Sequence, residues 1–338
     1  MSSGASNSGC WAEKSVQIAC VAGLLRSSAA FCPGGISSFF EVCRTDKAGN
    51  LLTDPTKIGS RGGGFVITRG ATSRVTVRKR RRTRVEVRIN SRPAPEAQTT
   101  RSALEQLINA NSSPLDVLAE VHVGIPIAAG FGTSAAGTLA SCLALVDAAE
   151  LPVTFNDVGR VAHVAEVLHS TGLGTASALL YGGFVLVREP GAPGTGVIDR
   201  LRFPAGHSIV CAYLGPIQTR DALAKQSEHA TYALAARSAF EAINKNPTLP
   251  VFLHESRKFG KEAGFETPRV IRVISAMMSG GAIGAAQNMI GEAAHGVVED
   301  SKATELMSIV KRASPHAMVF TSRLDNRGVR LLKPNEKH

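Results

Sequence analysis

Residues 162–177 read AHVAEVLHSTGLGTAS. His163 and Glu166 stand three apart, so on a helix they share one face, a turn from each other. A Gly-Leu-Gly turn follows at 172–174, and the next position, where a carboxylate would complete the set, holds Thr175. Residues 124–137 carry more chemistry. They read GIPIAAGFGTSAAG: a strand-like run feeds a Gly-x-Gly turn, and Thr133 and Ser134 then open an Ala-rich helix. That order aims free backbone N–H groups and the positive end of a helix at one spot, which makes an anion site, most often for phosphate. Gly130 and Gly132 let the backbone approach such a ligand with no Cβ in the way. The Thr133 and Ser134 hydroxyls can add a hydrogen bond or a magnesium ligand.

A plain glycine turn followed by a Ser/Thr N-cap is spelled the same way. G-F-G-T-S-A also fits the loose dinucleotide fingerprint, which needs a second parallel strand ending in an acid about 20 residues on. Residues 148–160, AAELPVTFNDVGR, give a proline turn and a helix cap instead. No G-x-x-x-x-G-K-[ST] occurs. What remains is a nucleotide-triphosphate loop of another design.

The elements that must position these residues follow from pattern. SAAFCPGGISSFFEV (28–42) predicts a strand, a Pro-Gly-Gly turn and a second short element. GSRGGGFVITRG (59–70) predicts a glycine loop entering a strand, and residues 72–90 a hairpin with RKRRRTR (78–84) at its tip. Helices are predicted over 99–110, from 133 to Val146, and from Thr154, whose Asp157 three on makes a capping-box start. YGGFVLVR (181–188) and IVCAYL (209–214) read as strands, with the PGAPGTG loop (190–196) near a domain boundary. GPIQTR reads as a turn; helices at 221–244, 250–264, 268–280 and 284–294 and a strand at 317–322 follow. Strands and helices mix without regular alternation, which disfavours a doubly wound sheet.

With 338 residues, 44% of them hydrophobic, the chain has material for two domains and a real core. Net charge is +11, and six of the seven residues in RKRRRTR are basic. No aromatics interleave with them and no nucleic-acid motif accompanies them, so a solvated arginine tip is favoured over nucleic-acid contact. The six cysteines, at 10, 20, 32, 43, 142 and 211, show no C-x-x-C and no zinc spacing. They read as free thiols of a reducing compartment, and the protein as cytoplasmic. No apolar run approaches a membrane span. Residues 1–26, Ser/Gly-rich and without a basic start, read as a disordered extension or an upstream start.

PIAAGFGTSAA resembles the central motif of the GHMP kinases, and within them the archaeal pantoate kinases are most similar. FCPGGISSFF, GSRGGGF, GFGTSAAG, AHVAEV, GLG, GGFVLVREPGAPG and GPIQTR support the resemblance in order, over roughly residues 28–332. It implies an α+β GHMP kinase fold: an N-terminal domain like a ribosomal-protein S5 domain (27–204) and a ferredoxin-like C-terminal domain (205–334). It implies ATP and Mg2+ as cofactors, pantoate as the other substrate, and phosphorylation of pantoate's primary hydroxyl to 4-phosphopantoate for coenzyme A synthesis. A homodimer is a further family expectation. Gly130, Phe131, Gly132, Thr133, Ser134 and Ala135 would cradle the ATP phosphates. Ser134 and Glu166 would hold Mg2+, a hard cation that takes one or two carboxylates plus phosphates. Ser37, His163 and Arg188 would bind pantoate, with Arg61 near the same pocket.

Three positions depart from the family pattern. Thr175 stands where an aspartate is assigned as base or orienting anion. Gly35 stands where a histidine is expected, and Ser38 where glycine is usual. Three readings follow for Thr175. The enzyme works without a base, because the loose transition state of phosphoryl transfer asks little of one; or the protein is a weakened relative with a binding role; or it phosphorylates another small hydroxy acid. Survival of the loop, Glu166, His163, Ser37 and Arg188 favours the first.

Overall fold

Runs of alternating and small residues at 26–43 and 59–79 become two long antiparallel strands, β1 (Arg26–Cys43) and β2 (Gly59–Lys79). The computed structural model describes residues 25–111, 114–216 and 230–333. The Pro-Gly-Gly expected to turn the chain does not. β1 runs straight through it, and the register shifts at Pro33/Gly34 and again at Ser37/Phe39. Here glycine serves close approach: a Cβ on Gly64 of β2 would lie 1.7 Å from the Ile36 carbonyl oxygen.

The first half continues with β3 (Arg84–Ile89), β4 (Arg92–Pro93), α1 (Gln98–Ala110), β5 (Leu115–Val123), α2 (Thr133–Ala149), α3 (Phe155–His169), α4 (Thr175–Tyr181), β6 (Phe184–Glu189) and β7 (Val197–Leu201). The second half holds β8 (His207–Gly215), α5 (Ala230–Lys245), α6 (Leu249–Glu262), α7 (Pro268–Ser279), β9 (Gly284–Gln287), β10 (Glu292–Glu299), α8 (Ala303–Ala313), β11 (Met318–Ser322) and β12 (Arg330–Leu331). One sheet runs β12-β1-β2-β5-β3-β4, with β6 joined to β2 and β7 to β6; the other runs β11-β8-β10-β9. The last strand among the described residues therefore returns to the first sheet, beside β1.

Two further expectations are overturned. RKRRRTR does not tip a hairpin: β3 pairs in parallel with β5, which lies between it and β2. Alternation marked both strands correctly but carries no information about which strands are neighbours. Residues 284–294 are not a helix; they form β9, a turn and the start of β10. Their small residues are buried on both faces of the sheet, and short runs of that kind do not separate strand from helix by period. The extension expected at 1–26 lies outside the described residues up to position 24, as do most of GPIQTR and the first part of the helix expected at 221–244.

Helix α2 is buried without a break from Ala135 to Leu145. A helix apolar all round belongs inside, and α2 packs on β1 and β2 with α1, α3 and α4 around it. A phenylalanine cluster joins the halves. Phe39, Phe65 and Phe184 from the first sheet meet Phe252 and Phe259 of α6, with Phe65 and Phe184 stacked at 4.6 Å. Each fully buried phenylalanine contributes about 2–3 kcal/mol, and the cluster fixes the second half against the sheet beside the cleft described below. A third core packs α7 and α8 on the second sheet. No helix among the described residues is long and apolar enough to cross a membrane. The described cysteines, Cys32, Cys43, Cys142 and Cys211, are free thiols.

Candidate active site

β5 ends at Val123, and beyond Pro126 the backbone enters the left-handed region three times, at Ala128 (φ 55°), Gly130 (φ 72°) and Gly132 (φ 64°). Gly132 is the N-cap of α2, and no side chain caps that helix. Thr133 and Ser134 are its first two residues rather than caps, so their hydroxyls are not spent on the helix end. The loop has no room for side chains: a Cβ on Gly132 would lie 2.7 Å from Thr175 Cγ2, and one on Gly130 would lie 3.0 Å from Asn288. Residues 128–134 line a cleft. The orphan N–H groups of the first turn and the positive end of a buried helix therefore meet there, and together they favour an anion.

Glu166 faces the same cleft from α3. The reciprocal Thr154/Asp157 capping box starts that helix. Its end at Ser170 turns the chain over Glu166, and a Cβ on Gly172 would lie 2.6 Å from one carboxylate oxygen and 2.8 Å from the other. Only a glycine there lets the carboxylate sit beneath the turn. Glu166 is 1% exposed, and its Oε2 has no hydrogen-bond partner. Burial pushes its pKa up to about 7, against a backbone hydrogen bond from Ala176 that lowers it. A buried carboxylate with an open oxygen needs a proton or a cation. With the Ser134 hydroxyl in the same lining, the donor set fits Mg2+, which takes few protein oxygens and completes its shell with phosphate and water. Among the described residues, no three His, Cys, Asp or Glu side chains converge as a dedicated metal cage.

The remaining walls come from β1 (Gly35, Ile36, Ser37, Phe39, Phe40), from Ser60 and Gly62–Val66, from the 171–175 turn, from Val185 and Val187, and from Met289 and Ile290. Among the described residues, no Lys, Arg or His is part of the lining. The groups those residues offer an anion are backbone N–H groups and hydroxyls.

The profile of the GHMP kinases N terminal domain matches residues 98–183, which include the loop and Glu166. A pantoate kinase from Methanospirillum hungatei is 32% identical over 257 residues, 73% of this chain and 79% of that protein. The chain belongs to the pantoate kinase family. A pantoate kinase from Thermococcus kodakarensis is 29% identical over 307 residues, 87% of this chain and 96% of its own. A solved structure described as a phosphotransferase related to the CoA biosynthesis pathway superposes with a TM-score of 0.79 at 22% identity, over 92% of this chain and all of that one. The GHMP kinase fold read from the motifs is thus the fold observed.

Within this member of the pantoate kinase family the expected site residues divide. Gly130, Phe131, Gly132, Thr133, Ser134, Glu166, Thr175 and Ser37 all line the cleft. Ala135 lies just behind them, fully buried in α2. His163 and Arg188 are not brought to the cleft. His163 shares a helix face with Glu166, but its ring is buried and Nε2 donates to the Ile58 carbonyl at 2.9 Å; burial lowers its pKa. Arg188 bonds outward to Asp199 at 2.9 Å and Asn244 at 2.7 Å. Arg61 also lies outside the lining, although its neighbours Ser60 and Gly62 are part of it; its guanidinium pairs with Glu41 and stacks 4.7 Å from the Phe240 ring.

The departures have local causes. At Gly35 a Cβ would lie 2.8 Å from Leu179 Cδ2, so Leu179 occupies the space a side chain there would need. Ser38 turns away from the cleft to His295. Sequence reasoning missed Ser60, Met289 and Ile290. Ser60 lies inside the quoted GSRGGG motif, and Met289 and Ile290 open MIGEAAHGV (289–297), a weaker point of family agreement in a stretch expected to be helical.

Proposed function

We propose that the protein transfers the γ-phosphoryl group of ATP to the primary hydroxyl of pantoate, giving ADP and 4-phosphopantoate on the route to coenzyme A. The observation that carries this reading is one cleft in which the capless N-terminus of a buried helix faces the open carboxylate oxygen of Glu166, in a chain of the pantoate kinase family. The N–H groups of 130–135 and the Thr133 and Ser134 hydroxyls hold the phosphates. Glu166 and Ser134 hold Mg2+, which supplies neutralisation of phosphate charge when bound. Ser37, on β1 across the cleft, contacts pantoate. Among the described residues the cleft lining has no Lys or Arg, and its hydroxyls and backbone N–H groups also meet the pantoate carboxylate.

Phosphoryl transfer is positioning and charge stabilisation above all. The pantoate oxygen bonds to the γ-phosphorus as the bond to the β–γ bridging oxygen breaks, and the hydroxyl proton passes late to solvent water. Thr175, with its methyl group toward Gly132, packs the loop in a site that works without a resident base. The unpaired thiols of the described cysteines fit a cytoplasmic setting.

The test is ADP release with ATP, Mg2+ and pantoate, set beside other small hydroxy acids as acceptors, with the phosphorylated product identified by phosphorus NMR. Pantoate is expected to give the highest kcat/KM. No ADP release with any acceptor refutes the enzyme reading, and a better acceptor than pantoate replaces the substrate.

A further inference from the structure

Three fully buried polar side chains form one line across the two halves of the molecule. Ser38 is the unpaired residue of the β1 bulge between Ser37 and Phe39, and bulges re-aim side chains. Its Oγ lies 3.0 Å from His295 Nε2, and His295 Nδ1 lies 2.8 Å from Asn288 Oδ1. All three residues are 0% exposed. Asn288 Oδ1 can only accept, so Nδ1 carries the ring proton and Nε2 accepts from the Ser38 hydroxyl. Burial pushes the pKa of His295 down to about 3, which keeps the ring neutral and the sense of these bonds constant.

The far end of this line touches the glycine loop. A Cβ on Gly130 would lie 3.0 Å from Asn288 Cβ and 3.0 Å from its carbonyl oxygen. One on Gly291 would lie 2.3 Å from the Ala129 carbonyl carbon. The 288–291 turn is therefore in flush contact with residues 129–130. The turn is also pinned to β1 directly, where Met289 N–H donates to the Ser37 carbonyl at 2.7 Å. Residues 37 and 38 of one bulge thus hold both ends of the contact, one by backbone and one by side chain.

We propose that Ser38 and His295 are positioning residues for nucleotide: they fix Asn288, and through it the 288–291 turn, beneath Gly130, so that the glycine loop is preorganised to receive phosphates. The inference rests on the reading of residues 128–134 as the ATP phosphate loop. Preorganised N–H groups hold phosphate without reorganising at the moment of binding. A loosened loop therefore weakens nucleotide affinity far more than it weakens pantoate binding at Ser37, whose own side chain is unchanged.

The test uses the full chain and three variants: Ser38→Ala, Asn288→Ala and the double. Ser38→Ala is expected to raise KM for ATP and Kd for Mg·ADP about fivefold to tenfold, with KM for pantoate within about twofold. Amide hydrogen exchange in the peptide covering 125–135 is expected to quicken in the variant without nucleotide, with no change in α7. Because Ser38 and Asn288 share no direct bond, coupling between them runs through His295, and the double variant is expected to cost no more Mg·ADP affinity than Asn288→Ala alone. Equal rises in both KM values, or effects that simply multiply in the double variant, overturn the proposal and leave a merely structural role. Unchanged exchange at 125–135 in Ser38→Ala overturns it as well. A wild-type protein that binds no Mg·ADP removes instead the nucleotide reading on which it rests.

Discussion

Glu166 makes the site costly to fold. Its carboxyl titrates near its ordinary 4.5 in the unfolded chain and at about 7 in the folded one. Between those values the folded state holds a proton that the unfolded state has released, so stability falls as pH rises through the window. The loss is complete above the folded value. At 1.36 kcal/mol per pH unit, the carboxylate costs about 1 kcal/mol at about pH 5 and about 3 kcal/mol at about pH 8. Glu166→Gln keeps the shape and removes the charge. In urea melts without divalent ions, the variant is expected to exceed wild type by those amounts, with the gap growing from about pH 5 to about pH 8 and vanishing below 4.5. Addition of Mg2+ with ADP at about pH 8 is expected to stabilise wild type far more than the variant, and the variant is expected to lose turnover. Equal urea midpoints at both pH values would refute the assignment of an uncompensated buried carboxylate.

Thr175→Asp is expected to raise KM for ATP about tenfold or more without raising kcat, because a carboxylate beside Gly132 sits a few ångströms from the phosphates and repels them by about 3–4 kcal/mol before screening; a large gain in kcat would show that a base had been missing. Arg188→Ala is expected to leave KM for pantoate within about threefold, since the guanidinium is engaged by Asp199 and Asn244; a rise of a hundredfold would show that the arginine turns into the cleft with substrate. Asp325→Ala is expected to cost about 3–5 kcal/mol in denaturant melts. It strips the buried Asp325–Arg330 pair, 2.9 Å apart, and the acceptor for Arg327 and Gly328 N–H; a loss under about 1 kcal/mol would contradict that reading.

The parts of the molecule legible in the sequence are those governed by local rules. The glycine loop, the opening of α2 at Thr133 and the Thr154/Asp157 box are each decided within a few residues, and their motifs also carried the family. What escaped depends on distant partners. His163 was placed on the right helix face, but the carbonyl that engages it belongs to Ile58, 105 residues earlier. The insertion of β5 between β2 and β3 is a choice of neighbour that alternation does not encode. Met289 and Ile290 reach the cleft only because β9 and β10 form a hairpin where small residues allowed a helix equally well.

The return of β12 to β1 has a consequence for how the protein is made. Ala30 finds its partner in Leu331, and the backbone beside α4 is closed by Val329 N–H on the Leu179 carbonyl and Gly183 N–H on the Asp325 carbonyl. Roughly 300 residues are translated between those strands, tens of seconds at about 5–20 residues per second. Throughout that time the emerging chain carries an open sheet edge at Ala30 and Phe31 of β1 and a helix α4 without its cover. Open edges invite pairing with other chains, so the interval before β12 is made is when this edge is most open to wrong pairing.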